Sequence, residues 1–369
     1  MNKNLYMDIN VLQTVPSSNI NRDDTGSPKT AIYGGVTRSR VSSQSWKRAM
    51  RLAFKQDSEN EEWLKSYRTL KTASLLANKL QELDSNLSEE DALKKVEEVF
   101  KVAGIKLKKD KKTGEMLTGA LLLVSEGQLE KIAKLALSVD QIDKDTAKEI
   151  KKNLMEDQSL DLALFGRMVA DNPELNVDAS SQVAHAISTH EVTPEFDYYT
   201  AVDDANAKSQ TGSAMLGTIE YNSSTLYRYA NVNILDLLHN LGNKALTIEG
   251  IKLFIKEFVL TMPTGKENTF ANKTLPQYVM INVRTDTPVN LVSAFETPVR
   301  SEGGYVDKSI NRLEDEYKNS LKFVDKPVFN VELTNSENIV DNQAENIDDL
   351  INQTAEFVKQ ELENEDSND

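Results

Sequence analysis

Residues 58–173 carry apolar side chains at helical spacing, whereas the segments on either side alternate with the two-residue period of strands. Leu64, Leu70, Leu75, Leu76, Leu80 and Leu83 open this block, and Ser88 with Asp91 marks the start of a helix through SEEDALKKVEEVF. Further helices are predicted near 126–138, 140–156 and 158–171. Ahead of the block, residues 3–15 read as a strand with Leu5, Met7, Ile9 and Val11 on one face. A turn-rich loop at 17–30 follows, then AIYGGVTRSRVS (31–42) as a second strand with Gly34-Gly35 as a bulge or a close backbone approach, and a helix at 44–56 capped by Ser42 or Ser43. Behind the block, strands are predicted at 180–190, 213–221, 225–234, 277–284 and 288–296, and helices near 233–242, 247–260 and 307–320. The pattern is α+β with an inserted helical subdomain. A polar stretch at 191–224 is too long for a tight turn, and loops of that length usually serve function.

The chain has 369 residues, enough for two domains or one large domain with insertions. It contains no apolar run of about 18 residues and no basic-then-apolar leader, so neither a membrane span nor secretion is expected and the cytoplasm is the expected compartment. With no cysteine there is no disulfide, thiolate metal site or cysteine nucleophile.

A net charge of −15 taken alone argues against a nucleic-acid partner, but the charge is unevenly placed. Residues 336–369 hold eleven acids against one base, Lys359, and so carry −10, leaving −5 on the rest. That tail reads as solvated and disordered, apart from an amphipathic helix at 347–362. Thr25 to Gln56, by contrast, contains Lys29, Arg38, Arg40, Lys47, Arg48, Arg51 and Lys55 and no acid. Phosphate contact depends on local charge, so this window is the candidate site for a polyanion.

In the helix at 44–56, Gln44, Lys47, Arg51 and Lys55 line one face while Trp46, Met50, Ala53 and Phe54 supply an apolar anchor. Arg38 and Arg40 alternate on the strand before it, hence share a face. The competing reading is a solvated basic face. Asp23 and Asp24 suit either metal-dependent phosphodiester chemistry or, more simply, a turn. His185, His190 and His239 show no spacing for zinc or a catalytic triad. Gly212 and Gly217 flank Ser213, Ala214, Met215 and Leu216, an apolar tip that suits a wedge between bases or an ordinary strand edge. Lys106, Lys108, Lys109, Lys111 and Lys112 form a flexible cationic loop; Lys144 and Lys148 interleave with Asp140, Asp143, Asp145 and Glu149, which favours pairing within the helix.

The string DINVLQTVPSSNINRDDTGSPKTAIYGGVTRSRVSSQSWKRAMR (8–51) resembles the start of the CasC backbone subunits of type I-E CRISPR Cascade complexes, members of the RAMP superfamily. LALFGRMVAD (162–171), VDASSQVAHAISTH (177–190), YYTAVDD (198–204) and GSAMLGTIEYNSSTLYRYANVN (212–233) agree as well, so the similarity spans about residues 5–325. The resemblance implies a ferredoxin-like, RNA-recognition-type palm (1–57 and 174–335), helical fingers (58–173) and a thumb hairpin or loop at about 191–224. It also implies head-to-tail polymerisation of about six copies along one crRNA, an arrangement in which non-closing contacts give a helix. Arg22, Gln44, Lys47 and Arg51 match positions that hold the guide's phosphates and sugars, with Arg38, Arg40, Ser42 and Arg48 of the basic window beside them. Met168 and Leu216 match the apolar pair that splays a base, with Gly212 and Ser213 at the thumb tip. Lys106, Lys108, Lys109, Lys144 and Lys148 are candidates for contact with target DNA. The other implied partners are the large, small, capping and guide-processing subunits; no cofactor, metal, membrane or catalysis is expected. The tail at 336–369 extends beyond what the family leads one to expect. The rival reading is an endoribonuclease of the type III backbone kind, with Asp23 or Asp24 and a divalent metal cutting target RNA.

Overall fold

In chain order the elements begin with β1 (Tyr6–Ser18), β2 (Thr30–Tyr33), β3 (Val36–Val41) and α1 (Ser43–Gln56). The helical block holds β4 (Ser66–Thr69), α2 (Thr72–Leu83), α3 (Glu89–Val102), β5 (Leu107–Lys109), β6 (Met116–Thr118), β7 (Leu122–Ser125), α4 (Glu126–Leu137), α5 (Lys144–Asn153) and α6 (Leu160–Phe165). Next come β8 (Ser181–Val183), β9 (Ala186–Ser188), β10 (Glu195–Thr200), β11 (Leu216–Asn233), α7 (Ile234–Leu241), α8 (Lys244–Leu260) and α9 (Glu267–Phe270). β12 (Tyr278–Arg284), α10 (Val306–Ser320), β13 (Phe329–Thr334) and α11 (Ile347–Asp366) complete the chain. This computed structural model describes residues 4–56, 61–169, 172–200, 216–336 and 342–366. The fold is α+β, and the chain divides into two units: 1–50, 183–231 and 252–369 in the first, 51–182 and 232–251 in the second.

In the first unit the strands run β13-β12-β1-β11-β9-β3-β2, with β10 added to β11. β1 pairs antiparallel with β12, Tyr6 opposite Arg284 through Leu12 opposite Tyr278. Alternation along β11 sends Tyr227 and Tyr229 into a core with Leu12, Tyr278, Met280, Leu291, Phe295, Ile310 and Leu313, so α10 covers that face. Arg228, between the two tyrosines, faces the opposite side. Its guanidinium lies 3.9 Å from the ring centre of Trp46 on α1 and 4.8 Å from that of Phe258 on α8, and bonds to the Gln13 amide oxygen at 2.6 Å and the Phe258 carbonyl. The second unit packs α2, α3, α4 and α5 around Leu76, Leu80, Val96, Phe100, Leu129, Ile132 and Ile150. Ser88 starts α3 as the sequence predicts, accepting from the Asp91 N–H.

Several expectations need correction. The glycine pair at 34–35 is a two-residue turn between separate strands β2 and β3, not a bulge in one: both glycines have φ in the left-handed region, +59° and +78°. The close backbone approach is there, since a Cβ on Gly34 would sit 1.7 Å from the Glu296 carbonyl oxygen. Of the strands predicted at 213–221 and 225–234, the described residues 216–233 form one strand, because the polar run between the two is paired and bonded inside the sheet. Asn222 accepts from the Ser39 hydroxyl at 3.1 Å, and the Thr225 and Thr14 hydroxyls meet at 2.8 Å. The strand predicted at 288–296 is a short helical turn, Leu291–Phe295, started by Asn290, whose side chain accepts from the Val292 N–H. β13 escapes the alternation rule because Glu332 is among its buried residues. The lysines at 106–112 belong to a hairpin, β5 with β6, rather than a flexible loop.

The tail beyond 341 is ordered through Asp366. α11 buries Leu350, Ile351, Ala355, Val358 and Leu362, and Phe357 stacks on Phe329 of β13 with ring centres 4.9 Å apart. The amphipathic helix expected at 347–362 is therefore present as α11, with Asp348, Glu356 and Glu363 on the exposed face; what the charge count did not reveal is that it docks on the sheet. No helix among the described residues is long and apolar enough to cross a membrane.

Candidate nucleic-acid interface

The loop between β1 and β2 is laced to the start of α1. Asn21 accepts the Ser42 N–H on its side-chain oxygen at 2.8 Å and the Lys29 N–H on its carbonyl at 2.9 Å; the Arg40 N–H bonds to the Lys29 carbonyl at 2.9 Å. Arg22 bridges to Pro28, and the Asn19 amide donates to the carbonyls of Gly26 and Glu220, both at 2.9 Å. The polar loop is thereby tied to the strands and the helix beside it through its main chain. The Ser42 carbonyl accepts from Ser45 and Trp46 N–H, starting the helix, while Trp46 and Met50 are buried and Gln44 and Arg48 are exposed. Arg22, Lys29, Arg40, Gln44, Lys47 and Arg48 thus stand on tied-down backbone within the first unit. Lys47 is half-buried, and burial lowers its pKa.

Not every base of the window is available. Arg38 is fully buried: it donates to the carbonyls of Tyr33 at 3.1 Å, Ser188 at 2.9 Å and Phe295 at 2.8 Å. It staples three segments of main chain and presents nothing to a phosphate, so its assignment as an RNA contact is corrected. Ser42 is also buried and acts through its main chain, which corrects its assignment too. Arg51 pairs with the buried carboxylate of Asp161 at 2.6 Å, an oxygen that also accepts from the Ser66 hydroxyl at 2.7 Å. Its charge is largely spent inside the second unit. Lys55 lies over the Tyr67 ring.

Met168 is 82% exposed, and the sequence around it explains why the chain holds it out. Gly166 ends α6 at φ +71°, where a Cβ would sit 2.6 Å from the Val177 carbonyl oxygen. Arg167 is buried, bonding to the carbonyls of Leu175, Leu123 and Leu154. One arginine anchored between a forced glycine turn and an exposed methionine makes a rigid apolar tip. β10 and β11 form a hairpin, Glu195 opposite Tyr221 through Thr200 opposite Leu216. Gly212 and Ser213 lie outside the described residues, and of Leu216 only the backbone is described. The hairpin shows a feature that sequence reasoning missed. Phe196 and Tyr198, two residues apart on one face, are 66% and 65% exposed, and Tyr199 covers Gly217 so closely that a Cβ there would meet its ring. The alternation in EFDYYT was the available signal.

Lys106, Lys108 and Lys109 are exposed, as are Lys144 and Lys148; Lys148 pairs with Asp145 at 3.2 Å, the pairing within the helix that the interleaved acids predict. Asp23 accepts from the Thr25 hydroxyl and the N–H groups of Thr25 and Ser27 on a single oxygen, and these bonds hold its carboxyl below the usual range. That is turn chemistry. Among the described residues no group of three or more His, Asp or Glu is placed to hold a metal ion.

The sequence profile of the CT1975-like protein family matches residues 7–357. The chain belongs to that family. The match runs well into the acidic tail, so most of residues 336–369 is part of the CT1975-like chain and not an extension beyond it. A chain from a solved "CRISPR RNA-guided surveillance complex, pre-nicking" is similar at 31% identity and TM-score 0.84, covering 95% of this chain and 99% of that one. A chain from a second "CRISPR RNA-guided surveillance complex" is similar at 28% identity and TM-score 0.73, with the same two coverages. No curated protein sequence matches. Membership of the CT1975-like family and both structural likenesses agree with the resemblance to CasC backbone subunits.

Proposed function

We propose that this chain is a cytoplasmic, non-catalytic subunit of a CRISPR RNA-guided surveillance complex, and that copies of it line a guide RNA head to tail and hold its phosphates and riboses. The observation that carries this reading is the cationic rim of the first unit: Arg22, Lys29, Arg40, Lys47 and Arg48 on backbone locked by Asn21, in a chain 31% identical along nearly its whole length to a subunit of such a complex. A guide must accept any spacer sequence, so the protein holds backbone and leaves base edges to pair with the target. Arginine and lysine side chains held on a tied-down loop, a strand and a helix do this with little ordering cost. Met168, held out on its rigid turn, is the apolar tip that separates one base from its neighbour. The sister subunits and target DNA are the partners this role requires.

The test is co-expression of the full chain with a CRISPR array and the sister subunits. Copurifying RNA of one repeat-spacer unit, with several copies of this chain per RNA by sedimentation and equal affinity for unrelated spacers, is the expected result. No bound RNA at modest salt, or binding that tracks one spacer sequence, overturns it. Target RNA cut at regular intervals in magnesium, and spared by Asp24→Asn, would replace it with the ribonuclease reading.

A further inference from the structure

His185 sits in the two-residue connection between β8 and β9, pinned there by the Ala184 N–H, which bonds to the Tyr229 carbonyl at 2.9 Å. Its ring is exposed, yet it is not idle. The Nδ1 atom lies 3.2 Å from an Arg40 terminal nitrogen, while the Arg40 Nε donates to the Thr30 carbonyl at 3.0 Å. An arginine side chain cannot accept, so the imidazole nitrogen accepts, and the ring facing Arg40 is neutral with its proton on Nε2. Two of the five guanidinium N–H groups are thus engaged, and the remaining three have no partner among the described residues. The guanidinium plane is fixed by a strand carbonyl on one side and an imidazole on the other, the preorganisation that bidentate phosphate binding rewards. Lys29, whose own carbonyl receives the Arg40 N–H, is the second cation facing the imidazole.

We propose that His185 is a member of the phosphate grip formed by Arg40 and Lys29, and that it takes up a proton when a nucleic-acid strand binds. The inference rests on the guide-binding reading above. In the free chain three positive centres would crowd one small surface, so the imidazole stays neutral; burial, Arg40 and Lys29 together hold its pKa below the ordinary histidine value. A phosphate docked on Arg40 and Lys29 reverses the sign of the local field. The imidazolium then becomes favourable, and its two N–H groups turn from Arg40 to the phosphate oxygens. By linkage, whatever raises the proton affinity on binding raises the RNA affinity at lower pH by the same factor.

The experiment is histidine NMR of the full chain titrated from pH 8 to 5.5, free and with a uridine homopolymer at low salt. Only three histidines contribute signals, and His185→Gln assigns the relevant one. His190, buried and stacked on Tyr305, serves as the internal reference. The expected result is a rise of about one pH unit in the His185 midpoint on binding, equivalent to about tenfold in proton affinity. RNA affinity of the wild type should then gain several-fold more on acidification than that of His185→Gln, which still accepts from Arg40 but does not titrate. An unmoved or lowered His185 midpoint with RNA bound overturns the inference and leaves the guide-binding reading standing. Failure of the homopolymer to bind at all overturns both.

Discussion

Replacing Arg51 with alanine separates two roles that the basic window confounds. The Asp161 carboxylate is 4% exposed and lies 2.6 Å from the Arg51 Nε; the Ser66 and Ser159 hydroxyls each bond to it at 2.7 Å. Removing one partner of a buried ion pair costs about 3–5 kcal/mol, because the other charge is left without compensation. Here the two hydroxyls remain and water reaches the site along the path of the lost side chain, so the expected cost is about 2–3 kcal/mol. For a unit of this size that is a fall in Tm of about 4–12 °C. Arg51→Ala combined with Asp161→Asn removes the stranded charge and should recover half or more of the loss. Thermal unfolding followed by circular dichroism, with the same variants assayed for RNA binding at a temperature where all are folded, tests the argument. If Arg51→Ala unfolds within 2 °C of wild type, the pair is not structural. Arg51 would then return to the list of free phosphate contacts.

Arg48→Ala, at an exposed position of α1, should leave the unfolding midpoint in place while flattening the salt dependence of RNA binding by about 0.7 in log–log slope, equally for all sequences. Gly34→Ala places a Cβ 1.7 Å from the Glu296 carbonyl oxygen at positive φ and should cost about 2–4 kcal/mol, whereas Gly35→Ala, with open space around it, should cost about 1 kcal/mol in chemical denaturation. Burial and the nearby Glu314 raise the Glu332 carboxyl to about 8. Between pH 4.5 and 8 the folded chain therefore keeps a proton the unfolded chain releases, and stability falls as pH rises through that window. At about 1.4 kcal/mol per pH unit the loss is bounded at about 5 kcal/mol. Glu332→Gln should remove the dependence and exceed wild type in stability at pH 8.5; a variant no more stable there than wild type would show that the Glu332 carboxyl is not raised by the fold.

Local pattern made much of this molecule legible. The four-residue spacing of Trp46, Met50 and Phe54 defined the buried stripe of α1, Ser88 and Asp91 announced α3, and the alternation of residues 5–11 marked β1; each depends on neighbours within one or two turns of chain. The acid-free window from Thr25 to Gln56 was likewise visible as composition. What the window could not reveal was which of its charges face solvent. Arg38 is consumed by carbonyls 150 and 257 residues away, and Arg51 by a carboxylate 110 residues away. The acidic tail shows the same division, since its amphipathic helix at 347–362 was readable locally while the surface it docks on includes Phe329, in a strand hidden by the buried Glu332. Periodicity and caps are written in adjacent residues, so the order of amino acids alone settles them. The availability of a cation or the docking of a helix depends on partners brought close only by the assembled sheet and the packed helices, and those the three-dimensional structure alone decides.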